Sequence, residues 1–242
     1  MNYFNEEIAT ITAKGAESFG ILLPSDAISK FQRYFEILEA KNKEINLTAI
    51  TGAKDVAVMH FLDSIALLTT TDFKGLRVID IGSGAGFPGV PLKITEPSID
   101  ITLLDSLGKR IDFLSELCAE LEIDASCVTA RAEGFACEGA NRESFGIAVT
   151  RAVARLNILA ELCLPLVEVG GTFIAMKSTD SNEEIGEAIT AIETLGAEFS
   201  RCVDYKIPGT GIMHRAVVIK KVSETPEKYP RRFARIAKSP LK

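Results

Sequence analysis

The sequence predicts an α/β fold: a mostly parallel, doubly wound sheet ending in an antiparallel hairpin and preceded by a helical region. Three observations carry this. Residues 76–91, LRVIDIGSGAGFPGVP, join an apolar run to a loop with glycines at 82, 84 and 86, and then to a helix-like segment. From Lys74 onward, short apolar strand-like runs alternate with stretches of helical character. The last two strand-like runs are separated only by IPGTGIM, too short for a parallel crossover, so that pair must form a hairpin.

Each element follows from local chemistry. The first 70 residues read as helical: Ser25-Asp26 after Pro24 suits a helix start, and Ile28, Phe31, Phe35 and Leu38 recur at helical spacing. After the Asn46–Thr48 segment a further helix is expected over about 53–68. Strands are expected at 77–81, 101–105, 126–130, 147–150 and 172–176, then near 198–206 and 215–222. Helices are expected to begin near Pro88, Lys109, Arg155 and Ser181, the last with a Ser181…Glu184 capping box. The chain thus divides into a helical region (1–72), an α/β core (73–223) and a basic C-terminal arm (224–242).

Composition narrows the class. With 47% hydrophobic residues over 242 positions and no low-complexity tract, the chain can bury a sizeable core. MNYFNEEIAT lacks the basic and apolar regions of a secretion signal, and no apolar run approaches ~18 residues. No membrane contact and a cytoplasmic location are therefore expected. Five scattered cysteines (118, 127, 137, 163, 202) without a C-x-x-C pair suggest buried, reduced thiols. The two histidines, His60 and His214, lack ligand spacing, so no metal site is expected. The net charge is −6, yet Lys220–Lys242 carries eight Lys or Arg against two Glu. A basic arm on an acidic body is suited to phosphates, and a solvated tail is the alternative.

The glycine loop speaks to ligand type. Asp105 ends the second apolar run, 23 residues after Gly82, where a carboxylate can accept hydrogen bonds from ribose hydroxyls. Dinucleotide sites favour G-x-G-x-x-G, but the third glycine position holds Phe87. G-x-G-x-G suits the smaller amino-acid end of S-adenosyl-L-methionine better. A parallel sheet with a terminal antiparallel hairpin is, moreover, the Rossmann-like class I methyltransferase variant. The same two features argue against a nicotinamide-dependent oxidoreductase.

NLTAIT (46–51), HFLDS (60–64), VIDIGSGAGFPGVPL (78–92), LLDSLGKR (103–110), RAEGF (131–135), TRAVARL (150–156), AMKS (175–178) and the tail TPEKYPRR…KSP occur in order along the chain. In these the chain resembles the bacterial small-subunit (16S) ribosomal RNA guanine-N7 methyltransferase G family, also called glucose-inhibited division protein B. The resemblance implies S-adenosyl-L-methionine as cofactor and 16S rRNA or the 30S subunit as partner. It implies that Gly82, Gly84, Gly86 and Phe87 form the cofactor loop and that Asp105 holds the ribose. Ala132 and Glu133 would read the adenine edge, and Arg151 would reach the cofactor site. Related sequences tend to carry an Arg near the start of the last strand; here His214-Arg215 stands there, and either could supply the charge. A non-catalytic rRNA-binding assembly factor is the alternative function.

The end of the fourth strand bears on chemistry. Exocyclic-amine methyltransferases place an Asp/Asn-Pro-Pro-aromatic element there, whereas this chain has Thr150-Arg151-Ala152. Nor is there the Cys–Pro pair of enzymes making C5-methylpyrimidine. Guanine N7 has an in-plane lone pair and no proton to lose, so no general base is required. Arg151 is then the one candidate for the reaction centre. His60 and Asp63, three apart on a predicted helix, could orient the target nucleotide or form a structural pair bonded to the NLT turn. Arg131 and Lys177 at strand ends are candidates for RNA or cofactor contact, as are His214 and Arg215. In the arm, Tyr229 and Phe233 interleave with Arg231, Arg232 and Arg235, which suits phosphate contact and base stacking or packing back on the body.

Overall fold

The computed structural model describes residues 3–151 and 154–242. Its centre is one seven-stranded sheet of order β3-β2-β1-β4-β5-β7-β6. The strands are β1 (Arg77–Ile81), β2 (Asp100–Asp105), β3 (Ala125–Thr129), β4 (Phe145–Arg151), β5 (Val167–Ser178), β6 (Ala197–Lys206) and β7 (Met213–Lys221). The first five pair in parallel; β7 pairs antiparallel with β6, as the short connecting loop requires, and antiparallel with β5 as well. Because β1 lies between β2 and β4, the crossovers leave it in opposite directions, and a crevice opens at its C-terminal end.

Both faces of the sheet are covered. Along β1, Val78 enters one core while Ile79 and Ile81 enter the other, the period-two alternation of a strand. The first core joins the sheet to α1 (Tyr3–Ser18), α2 (Ala27–Ile45), α5 (Gly89–Thr95) and α6 (Gly108–Glu120). Phe31, Tyr34, Phe35 and Leu38 form the buried stripe of α2, so residues 1–72 share their core with the sheet. The second core lies under α8 (Leu156–Cys163) and α9 (Asn182–Thr194).

Three expectations need correction. The helix predicted over 53–68 is α3 (Ala53–Val56), a π-helical segment (Ala57–Leu62), α4 (Asp63–Ile65) and a 3₁₀ turn (Ala66–Thr69). The wider π turn lies where Phe61 packs on Phe31 and Tyr34, and where the Met59 and His60 carbonyls accept side-chain hydrogen bonds as well. Ser181 does not cap α9: it makes no cap bond, and Glu184 instead accepts from Leu156 N and Lys177 Nζ. Of the cysteines, only Cys118 and Cys163 are buried; Cys127 and Cys202 are half-buried, and Cys137, in the turn after the short α7 (Ala132–Phe135), is exposed.

The C-terminal arm is a packed element rather than a solvated tail. Arg142 donates to the Thr225 and Tyr229 carbonyls, and Tyr229 is buried. Arg231 makes three hydrogen bonds to the fully buried Glu161 of α8, and Ile236 of α10 (Phe233–Lys238) is buried in the second core. Arg232, Arg235 and Lys238 remain exposed.

Candidate active site

The cleft at the switch point measures about 480 Å³ and spans the C-terminal ends of β1 to β4. Its floor is the loop after β1. Gly82 N and Ser83 N both donate to Leu104 O at 2.8 and 3.1 Å, which clamps the loop to β2. Gly82, Gly84 and Gly86 have φ of +75°, +58° and +101°, values that a side chain disfavours. An added Cβ at Gly84 would meet nothing closer than 3.8 Å, so that glycine presents bare backbone to the cleft. Gly86 plays a different part. It is not in the cleft wall, and a Cβ there would lie 2.6 Å from Tyr34 Oη and 2.9 Å from Val90. Its place in the loop is thus one of packing against α2 and α5.

Two carboxylates organise the loop. Asp105 Oδ2 accepts from Gly84 N at 3.0 Å and Arg110 Nη1 at 3.2 Å, and Oδ1 accepts from Leu107 N at 2.9 Å. Asp105 thereby ties the end of β2 to the glycine loop while lining the cleft. Asp80 is not among the candidates read from the sequence, although a lone acid inside the run VIDI is a signal for it. It is completely buried, and its Oδ2 accepts from Gly89 N at 2.9 Å at the start of α5. Burial pushes its pKa up to about 7.

At the β4 end of the cleft, aromatic and basic groups are stacked. Phe87 is buried between Tyr34 and His60, with ring centroids at 5.3 and 4.3 Å. The Arg151 guanidinium lies 4.9 Å from the Phe87 centroid, within cation–π range. Arg151 Nη1 donates to Met59 O at 3.1 Å, and Nη2 approaches His60 Nδ1 at 3.0 Å. His60 Nε2 lies 2.8 Å from Thr48 Oγ1, and Nδ1 also lies 3.1 Å from Met59 O, so both ring nitrogens are engaged. Burial first and the Arg151 charge second pull the His60 pKa down to about 3. His60 is therefore neutral; it braces the NLT turn through Thr48 and also lines the cleft.

Asp63 lies behind this layer. Its Oδ1 accepts from Tyr205 Oη and from His214 Nδ1, each at 2.8 Å, and Oδ2 is 3.5 Å from Arg151. The hydrogen bond to Asp63 raises the His214 pKa. Asp63 is thus a buried anchor for Arg151, and it bonds to the β6–β7 hairpin rather than to the NLT turn.

The remaining candidates divide. Gly82, Gly84, Phe87, Asp105, Ala132, Glu133, Arg151, His60 and Arg131 line one cleft. Lys177 does not face it: its Nζ donates to Ala154 O and pairs with Glu184 at 2.7 Å. Arg215 is buried in a bidentate pair with Asp204 and a bond to Asn182, away from the cleft wall. Arg231 is spent on Glu161. Ion pairing disfavours these three as phosphate contacts, because their charge is already neutralised. Arg232 and Arg235 stay exposed on the arm. Ala152 lies outside the described residues. Sequence reasoning does not place Arg110, Thr48 or Tyr34 in the site, nor Phe233 in the cleft wall; their positions depend on long-range packing.

A glycine-loop cleft at the switch point of a sheet with this strand order places the chain in the Rossmann-like class I methyltransferase architecture. A methyltransferase structure from Pyrococcus furiosus superposes with a TM-score of 0.54 at 11% identity, covering 81% of this chain and 99% of that one. The family model described as "GidB: rRNA small subunit methyltransferase G" matches residues 27–212. "Ribosomal RNA small subunit methyltransferase G" of Alkaliphilus oremlandii is 44% identical across 98% of this chain and all of its own length. That of Pelotomaculum thermopropionicum is 43% identical across 97% and 99%. The chain belongs to the rRNA small subunit methyltransferase G family and is an rRNA methyltransferase. The oxidoreductase and non-catalytic alternatives are not the ones supported.

Proposed function

We propose that this enzyme transfers the methyl group of S-adenosyl-L-methionine to N7 of a guanine in 16S rRNA, as free RNA or within the 30S subunit, in the cytoplasm. The observation that carries the reading is the cleft itself. Its floor is bare glycine backbone, its centre is a carboxylate at the end of β2, and its β4 end is a neutral, aromatic and guanidinium surface. A volume of about 480 Å³ falls within the ~300–1,000 Å³ of small-molecule sites. The residues fit the cofactor: Gly82 and Gly84 admit close approach, Asp105 has lone pairs for hydroxyls, and Ala132 and Glu133 stand beyond it at the β3 end. When bound, S-adenosyl-L-methionine supplies an electrophilic methyl on a sulfonium.

The protein's part is positioning and electrostatics. N7 offers a lone pair in the ring plane, so no side chain need remove a proton, in keeping with a His60 that is already neutral and hydrogen-bonded on both nitrogens. A neutral His60 also spares a cationic donor a second positive neighbour. Arg151 is fixed by Met59 O, Asp63 and the Phe87 face, so it orients at the β4 end with little freedom. Holding N7 in line at ~3–3.5 Å from the methyl carbon is the main catalytic contribution expected of such a site. The exposed Arg232 and Arg235 are suited to RNA phosphates, and Arg131 at the rim to RNA or cofactor. The test is transfer of labelled methyl into isolated small subunits, with the product nucleoside identified. N7-methylguanosine is expected; binding of subunits without transfer would support an assembly factor instead.

A further inference from the structure

The C-terminal arm contributes an aromatic side chain to the cleft. Phe233, the first residue of α10, is 37% exposed yet lines the same cavity as the glycine loop, over a hundred residues away in sequence. Its ring lies 5.7 Å from the Arg131 guanidinium carbon. Its position is not adventitious. Arg231 clamps the chain just before α10 by bonding Glu161 on one side and Ser239 O on the other, and Ile236, one turn along from Phe233, is buried in the second core. Phe233 itself is thus free of core duties and has an open face.

Strand order tells which part of a ligand it would meet. The glycine loop leaves β1 and Asp105 ends β2, while Arg131 and Ala132 follow β3, the edge strand three places from the β4 that carries Arg151. A ligand whose amino-acid end sits at the glycines and whose ribose sits at Asp105 therefore extends its base toward Arg131, Ala132 and Phe233. A flat, electron-rich ring beside a guanidinium is a stacking surface for a purine. We propose that Phe233 is a cofactor-binding residue, the stacking wall for the purine ring of the methyl donor, supported from outside by Arg131. This deepens the cofactor reading above and rests on it. The same short helix carries Arg235 and Lys238 outward, so the arm that meets RNA also touches the donor.

The chain contains no tryptophan, so Phe233→Trp is a single-tryptophan protein. Its fluorescence, titrated with S-adenosylhomocysteine, is expected to quench saturably, with the midpoint equal to the calorimetric Kd. Adenosine at higher concentration is expected to reproduce the quench, and guanosine monophosphate is not. Phe199→Trp, on the exposed face of β6, is the control and is expected to stay flat. In parallel, Phe233→Ala is expected to weaken S-adenosylhomocysteine about tenfold, a stacking-sized loss, with the melting temperature unchanged. Wild-type affinity in Phe233→Ala together with a silent Phe233→Trp would overturn the proposal and leave the cofactor reading intact. So would quenching by guanosine monophosphate alone, which would give the ring to the target base. Failure of the wild-type protein to bind S-adenosylhomocysteine by calorimetry would overturn both.

Discussion

Replacing Arg231 by alanine separates a structural arginine from its exposed neighbours Arg232 and Arg235. Glu161 is fully buried, and the Arg231 side chain is 15% exposed; the carboxylate accepts from Arg231 N at 2.9 Å, Nε at 2.8 Å and Nη2 at 2.5 Å. Truncation keeps only the backbone bond and strands a buried carboxylate. Removing one member of a buried pair costs ~3–5 kcal/mol. Because one bond survives and the guanidinium is not wholly dry, ~2–3 kcal/mol is the expected loss here. For a chain of this length each kcal/mol lowers Tm by ~2–4 °C, so a fall of ~4–12 °C is expected. Arg235→Ala and Arg232→Ala, on exposed positions, are expected to stay within ~0.5 kcal/mol of wild type. Together these two are expected to weaken small-subunit binding. The slope of log affinity against log salt should flatten by roughly 0.7–0.9 for each phosphate they would otherwise neutralise. Differential scanning fluorimetry and salt-titrated filter binding read both quantities. A Tm for Arg231→Ala within ~1 °C of wild type would refute the structural assignment, since no buried carboxylate can lose two charged donors at so small a cost.

Gly86→Ala is expected to destabilise the fold strongly, since φ is +101° and the new Cβ would lie 2.6 Å from Tyr34 Oη, whereas Gly84→Val, strained by its φ of +58° but free of any clash, is expected to leave a folded, less stable protein with lost S-adenosyl-L-methionine binding; melting and calorimetry on both variants check the pair. Arg151→Ala is expected to reduce methyl transfer far more than Tm, and equal losses would make it a purely structural anchor of Asp63. His60 has a folded-state pKa of about 3, below the ~6.5 of an unfolded histidine, so the stability it contributes is full above pH ~6.5 and is lost as pH falls toward 3. Urea titrations across that window are expected to show a shallower acid loss in His60→Gln than in wild type, and parallel curves would contradict the neutral, buried imidazole.

Much of this molecule is legible in one dimension. The run Val78–Ile81, the glycines with positive φ after it and the terminal acid of β2 depend on period-two burial and turn chemistry, which are local properties. The hairpin after β5 follows from loop length alone. The resemblance to the methyltransferase G family points to Ala132, Glu133 and Arg151, which nothing in their own neighbourhood signals and which all line the cleft. Tertiary structure decides which charges are available. Lys177, Arg215 and Arg231 read as free cations in the sequence, yet each is neutralised by an acid brought close by folding: Glu184, Asp204 and Glu161. The same holds for Asp63, whose partners Arg151, Tyr205 and His214 lie far along the chain, and for Phe233, carried into the cleft by the anchored arm. Backbone preference is set within a few residues, but desolvation and charge pairing are set by whatever the fold packs alongside, and it is these that divide binding residues from structural ones.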